Sequence, residues 1–485
     1  MQEPDIVAAL RAVLPEACVL AGAEERRPYE CDGLPVYREL PAVVVLPRTE
    51  AEVHAVLATC SRLRVPLVAR GSGTGLSGGA TPHPQGVLLS CARMNRILEI
   101  DPVNRIARLQ PGVPNLKVSE AAAPHGLYYA PDPSSQVACS IGGNVAENSG
   151  GVHCLKYGLT LHNVLGVRGF SIGGELLELG GGRALDAPGV DLLALTIGSE
   201  GLLMIVTEVT VKLLPRQPCV RLVMASFADV HRAGDAVAAI IAAGIIPAGM
   251  EMMDRKATAA VEPFVHAGYD LSAAAILLVE ADGTREEVDD QIAEIERVLN
   301  AAGASALHVA ATEAERLRLW SGRKNAFPAA GRLSPDYYCM DGTIPRKHVG
   351  RVLDAIEQME LRYGLRCMNV FHAGDGNLHP VILFDANEPG CWQRADRFGA
   401  EILELCVELG GTITGEHGVG LEKLNSMCVQ FSPAERAAFF AVKQAFDPDA
   451  LLNPGKLIPT LARCAEYGKL HVHHGALPHP ELPRF

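Results

Sequence analysis

The sequence predicts an α+β protein built of two or more lobes, and three observations carry that expectation. At 485 residues the chain exceeds the roughly 100 to 200 residues that one core usually serves. Short β-rich runs alternate with helical patterns along most of it, as when helices cover a sheet. The pattern changes near residues 215–218, where Pro215 and Pro218 end a long β-like segment and a new alternation begins. With 48% hydrophobic and 20% charged residues, the composition is that of a globular enzyme and not of a disordered chain. A net charge of −13 speaks against nucleic acid as a partner.

Residues 43–110 supply the first alternation: AVVVLP, TEAEVHAVLATCSRL, VPLVAR, GVLLSC and RIARLQPG. Thr49 followed by Glu52 is a capping-box start for the helix. Glycine-rich loops fill the next hundred residues, which close on the strand-like GLLMIVTEVTVKLLPRQP. Beyond it VRLVMASF reads as a strand, ADVHRAGDAVAAIIAAG as a helix, AAAILLVEADG as a strand and TREEVDDQIAEIERVLNAAG as an amphipathic helix closed by glycine. The longest apolar run, residues 236–250, is broken by Gly244 and Pro247 and reads as a core helix entering a strand. The start lacks a basic and then apolar leader, and thirteen scattered cysteines contain no C-x-x-C pair. A cytoplasmic chain with reduced thiols and no iron–sulfur cluster of its own is expected.

The segment Gly73-Thr74-Gly75-Leu76-Ser77-Gly78 is a literal G-x-G-x-x-G, a weak signal alone. A Rossmann helix should start at the third glycine, yet residues 79–84 lead to another strand, so that reading fails. A strand–glycine loop–strand unit can still cradle phosphate with backbone N–H groups; a plain surface loop is the alternative. A second stretch, APDPSSQVACSIGGNVAENSGGVHCLKYG at 130–158, adds stiffening Pro131, the donors Ser134 and Ser135, and the pairs Gly142-Gly143 and Gly150-Gly151.

FHAGDGNLHP at 371–380 places His372 and His379 around a turn-forming run. If Gly374 to Asn377 form the loop, the two histidines pair directly on one face, with Cβ atoms roughly 4.5 to 5.5 Å apart. Pro380 then suggests an edge or outward-facing strand. Alone, two such histidines read as readily as core residues. GGTITGEHGVG at 410–420 supplies Glu416 and His417; a His, His and Glu set with open positions suits a catalytic divalent cation, and a solvated loop is the alternative.

The two glycine loops, with LTIGSEGLLMIVTE at 195–208, resemble the FAD-linked oxidases of the vanillyl-alcohol oxidase type, and the resemblance runs over nearly the whole chain. It implies an FAD-binding domain of two α/β subdomains at 1–217. It further implies a substrate-binding cap with a mainly antiparallel sheet at 218–450, and a C-terminal segment at 451–485 packing back on the first domain. The implied FAD contacts are Arg70, Gly71, Ser72, Gly73, Thr74, Gly75, Ser77, Gly78, Pro131, Ser134, Ser135, Gly142, Gly143, Asn144, Asn148, Gly150, Gly151, Ile205 and Asn453. Leu202 and Met204 stand where many relatives carry Thr and Gly, which leaves contacts there to backbone amides. No His or Cys lies within residues 70–80, so non-covalent FAD is expected.

In the metal-dependent branch of that family, the residues matching His372, His379 and Glu416 hold a divalent ion such as Zn, Mn or Fe. The residue matching His417 is the base there, and those matching Arg323 and Asn377 bind substrate. The implied reaction is oxidation of a short 2-hydroxy acid to the 2-oxo acid, the hydroxyl losing a proton and C2 a hydride to the flavin. Cys339 in YYCMDG replaces a lysine of diacid-oxidising relatives, which favours glycolate or D-lactate. The resemblance also implies a complex with a second flavoprotein-like subunit and an iron–sulfur subunit, and a peripheral place at the inner membrane face through them. A stand-alone D-lactate or D-2-hydroxyglutarate dehydrogenase is a neighbouring reading, and a non-catalytic FAD-binding subunit a more distant one. A tail cluster of His471, His473 and His474 reads as a polar surface patch.

Overall fold

A computed structural model of the chain describes residues 3–181 and 189–459. Apolar β-branched runs start a four-stranded sheet: β1 (Val19–Leu20), β2 (Val43–Val45), β3 (Leu67–Arg70) and β4 (Val87–Ser90), in the order β1-β2-β4-β3. Both β2 and β3 run parallel to β4. The helix Glu50–Leu63 connects β2 to β3 and buries Val53, Val56, Leu57 and Cys60, one face at helical spacing. Thr49 accepts the Glu52 N–H as expected, but Glu52 Oε2 caps Arg48 N rather than Thr49 N, shifting the reciprocal half of the box by one residue. No helix separates β3 from β4, which the glycine loop joins directly.

The second sheet is antiparallel, from β5 (Ile97–Asp101), β6 (Ile106–Leu109), β8 (Val164–Phe170), β9 (Leu176–Gly180) and β10 (Ile205–Lys212), in the order β5-β6-β10-β8-β9. Short β7 (Leu127–Tyr128) pairs with β11 (Leu214–Pro215), just before the chain leaves for the third sheet.

That third sheet comprises β12 (Cys219–Phe227), β13 (Gly249–Asp254), β14 (Ala275–Gly283), β15 (Ala306–Val309), β16 (Asp336–Cys339), β17 (Arg366–His372) and β18 (Asn377–Phe384). Its order is β15-β12-β14-β13-β17-β18-β16 and every pairing is antiparallel. Helices Val230–Ala242 and Arg285–Ala301 press Val237, Ile240, Val288, Ile292 and Ile295 onto Leu277 and Val279 of one face. Arg255–Val265, Glu313–Lys324 and Ala326–Leu333 cover the other face at Ile276, Leu278 and Val370. Each fully buried Leu, Ile or Val contributes about 1.5–3 kcal/mol, so this doubly covered sheet is a stiff platform. Double cover also explains why all nine residues of β14 are buried, its acids included.

The β17–β18 hairpin departs from the expected register. His372 pairs with Asn377 and Val370 with His379, so the loop is residues 373–376, with Gly376 at φ +84°. A shift of one residue on each strand preserves the face, and both histidines still project the same way as diagonal neighbours. Pro380 is also placed differently: β18 lies inside the sheet, between β17 and β16. Pro380 is buried there and its carbonyl accepts Met340 N, but its nitrogen has no hydrogen to return, so that pair keeps one bond of two.

The chain returns at its end to β3: Leu67 N donates to Leu451 O, and Asn453 N donates to Leu67 O. The remainder of the C-terminal segment, with His471, His473 and His474, lies outside the described residues.

Candidate active site at the seam of the lobes

The glycine loops enclose a cavity of about 410 Å³. Arg70 to Gly75, Ser134, Ser135, Gly142, Gly143, Asn144 and Ile205 line it, and at its far end stand Lys324, Phe327, Tyr337, His379, Glu416 and His417. Small residues are needed because the walls are so close. A Cβ on Gly71 would lie 2.3 Å from Ser140 Oγ, and one on Gly142 would lie 2.5 Å from the Pro111 side chain. Glu147 reaches the same cavity with a buried Oε2 that has no hydrogen-bond partner. A narrow cleft floored by backbone, long enough to span both sheets, fits FAD.

The other expected FAD residues shape this wall from behind. Ser77 O accepts the N–H groups of Leu421 and Glu422, and Gly78 at φ +75° packs against Tyr37 and Leu421. Pro131 O accepts Asn115 Nδ2, Asn148 Oδ1 accepts Leu161 N, and Asn453 Nδ2 donates to Gly79 O and Glu200 O. Gly151, at φ +148°, leaves no room for a Cβ beside Asp132, and Gly150 abuts Glu416, whose Oε2 would lie 2.5 Å from a Cβ there. The second glycine loop therefore touches the proposed metal carboxylate.

His372, His379 and Glu416 converge, their ligand atoms all within 4.8 Å of one another. Glu416 Oε1 lies 3.1 Å from His372 Nε2 and 3.3 Å from His379 Nε2. His379 Nε2 also lies 3.5 Å from Asp341 Oδ1, while its Nδ1 is buried without a hydrogen-bond partner, an expensive state unless something else binds it. Nitrogen and oxygen donors at this spacing suit a borderline divalent cation such as Zn, Mn or Fe. Burial opposes charging of His372, but the flanking carboxylates of Glu251 and Glu416 override it and push its pKa well above the usual range. Burial also raises the Glu416 carboxyl, yet the three histidines outweigh it and bring it to about 2. A negative carboxylate and neighbours that favour positive charge mark a place where a cation is stabilised.

The loop carrying Glu416 and His417 is clamped from both lobes. Asp341, fully buried at the end of β16, accepts the N–H groups of Gly415, Glu416 and His417, with Thr414 Oγ1 and Lys423 Nζ also donating to it. From the flavin side, Glu200 accepts the N–H groups of Val419 and Gly420. Burial lowers the His417 pKa, Asp341 opposes, and the result is about 4, a neutral imidazole at neutral pH.

Two residues expected at the substrate, Arg323 and Asn377, are not among those that line the cavity. Arg323 is 1% exposed, bonds Glu251 through Nε at 2.5 Å, and stands behind His372 outside the cavity lining. Its position in the helix Glu313–Lys324 turns it to the sheet, and Lys324 is the cation of that helix that lines the cavity. Asn377 packs against Gly415, whose Cβ would lie 2.6 Å from its side chain, and does not line the cavity either. Sequence reasoning missed Glu251, Asp341 and Glu200. The available signal was an acid set among apolar neighbours, GMEMMD and YYCMDG, which in a covered strand must have a buried partner.

Cavity, glycine loops and sheet order together define a flavin-binding oxidase. The FAD binding domain family matches residues 41–180, and the family of FAD linked oxidases, C-terminal domain, matches residues 216–457. The chain belongs to the FAD-linked oxidases. It is 61% identical over 480 residues to "Glycolate oxidase subunit GlcD" of Escherichia coli (strain K12), covering 99% of this chain and 96% of that protein. It is 31% identical over 468 residues to a "D-lactate dehydrogenase" of Anaerostipes hadrus, covering 94% and 97%. Among solved structures, p-cresol methylhydroxylase with substrate bound superposes with a TM-score of 0.81 at 18% identity, covering 95% and 97%, and so shares the fold. Among the described residues no helix is long and apolar enough to cross a membrane.

Proposed function

We propose that the chain oxidises a short 2-hydroxy acid, glycolate or D-lactate, to the 2-oxo acid with FAD and a divalent ion. The observation that carries this reading is the convergence of His372, His379, Glu416 and His417 at one end of the glycine-lined cavity. Identity to relatives named for glycolate and D-lactate supports the substrate class. FAD supplies a two-electron acceptor for the C2 hydride, and the ion polarises the substrate hydroxyl. His372, His379 and Glu416 would hold the ion, while the residues of the 70–80 and 130–151 loops would hold FAD.

Neutral His417, stacked on His379, takes the hydroxyl proton. Lys324 orients the substrate carboxylate, Phe327 and Tyr337 exclude water, and Asp341 keeps His417 from moving away. The two lobes, 1–217 and 218–450, then divide the work into flavin binding and substrate binding, and the C-terminal segment ties the second to β3. Electrons leave through partner subunits, a flavoprotein-like one and an iron–sulfur one, because the E. coli relative is named a subunit and this sequence has no C-x-x-C pair. Location is cytoplasmic, at the membrane face through those partners.

Steady-state assays with a dye acceptor test the substrate class. Turnover of glycolate or D-lactate, with 2-hydroxyglutarate at least tenfold poorer in kcat/KM, is expected; preferential use of the diacid would overturn the monocarboxylate reading.

A further inference from the structure

We infer that Glu251 is the positioning residue that fixes His372 as a metal ligand, with Arg323 bonded to its other carboxylate oxygen. This rests on the metal-site reading above. Glu251 lies in the middle of β13, beside β17, and is 1% exposed. Its Oε1 is 2.7 Å from His372 Nδ1, while its Oε2 accepts Arg323 Nε at 2.5 Å. A carboxylate only accepts, so His372 must carry its hydrogen on Nδ1. Its Nε2 faces Glu416 Oε1, 3.1 Å away.

With Nδ1 held by Glu251, Nε2 is the ring atom left facing Glu416, and a metal cation bound between them would take the place of a proton there. Glu251 thereby sets the ring angle and the tautomer that a metal needs, the arrangement in which an outer carboxylate orients a ligating imidazole. Arg323 Nη2 also approaches His372 Nδ1, at 3.5 Å, but two donors cannot bond, so the ring's partner is Glu251. With Arg323 beside it, Glu251 forms a pair of zero net charge. The ion then meets one ligand charge, from Glu416, and a second buried carboxylate does not compete for it.

The bland alternative is that Glu251 and Arg323 merely tie the helix Glu313–Lys324 to the sheet. Binding of Mn²⁺ or Zn²⁺ to the metal-stripped, FAD-loaded protein, measured in competition with a chelator, separates the two. Glu251→Gln should weaken the ion roughly ten- to a hundredfold, with flavin content retained in protein still folded at the assay temperature, although loss of Arg323's buried partner lowers the melting temperature. In a His372→Ala background the same substitution should change affinity less than about threefold, since the residue it acts through is gone. Should Glu251→Gln fail to fold, Glu251→Asp keeps the charge beside Arg323 but withdraws Oε1 from Nδ1, and it too must weaken the ion. Wild-type affinity in these variants, or an equal loss with and without His372, would overturn the inference. Absence of any metal binding by the wild-type protein would overturn the metal reading itself and this inference with it.

Discussion

His379 and His417 lie ring against ring, their centroids 4.9 Å apart and their planes 4° from parallel. One ring comes from a strand inside a doubly covered sheet, the other from a glycine-rich loop, so the stack exists only because the loop is pulled onto the sheet. Asp341 does the pulling, accepting three consecutive backbone N–H groups at residues 415–417. One buried carboxylate therefore places both the His417 loop and, 3.5 Å from His379 Nε2, the strand side of the site.

Replacing Asp341 by Asn should leave the sheet intact but loosen this loop, because one acceptor oxygen becomes a donor facing backbone N–H groups and the Lys423 ammonium. A stability loss of about 2 kcal/mol and at least a tenfold fall in kcat are expected, read from denaturant midpoints and steady-state rates.

His417→Ala should lower kcat by about 10² to 10⁴ while the ion stays bound, the usual worth of a lost general base. His379→Ala should do the reverse, abolishing metal binding first and activity with it. Elemental analysis alongside rates distinguishes the two.

Lys324→Met should raise KM for the hydroxy acid about tenfold with kcat within a factor of three, as expected for a group that binds ground and transition state alike. An unchanged KM would return the carboxylate to Arg323.

Gly151→Ala places a Cβ 2.6 Å from the Asp132 carbonyl at φ +148°, a conformation closed to alanine. The loop must rearrange, and the purified variant should carry less than a tenth of the wild-type flavin, as seen in its visible absorbance.

A salt-bridge network crosses the seam away from the cavity. Glu280 of β14 accepts from Arg316 Nη1 and Trp320 Nε1 and faces His153, which also bonds Asp132 in the flavin loop, while Glu313 holds the other side of Arg316. Burial raises the Glu280 carboxyl, but His153 and Arg316 outweigh it and hold it at about 2. A carboxyl depressed on folding stabilises above its unfolded pKa of roughly 4.3. That contribution fades as pH falls from about 4.3 to about 2. Glu280→Gln should cost about 3 kcal/mol at pH 7, and the difference from wild type should shrink across that window.

Much of this was legible in the sequence because helix and strand periodicity and glycine spacing are local properties. The glycine loops, the order of strands and helices beyond residue 218, and the convergence of His372 and His379 on one face follow from such patterns. The hairpin register did not, since loops at 373–376 and 374–377 share Gly374, Asp375 and Gly376, and the close approach of Gly376 to the Ile344 carbonyl in the observed one is a tertiary contact. Pro380 misled because an interior strand tolerates proline at the end of a ladder, where only the Met340 N–H to Pro380 carbonyl half of a pair is kept. The place of Arg323 was invisible because it depends on a partner, Glu251, seventy-two residues away.

The central claim is that a divalent ion on His372, His379 and Glu416 is required for a 2-hydroxy acid to reduce the flavin. Anaerobic mixing of the purified protein with glycolate and with D-lactate, before chelation, after it, and after metal is restored, tests this directly by the visible flavin spectrum. The account predicts rapid bleaching, its loss on chelation and its return with metal. Bleaching at an undiminished rate in protein shown to be metal-free would contradict it.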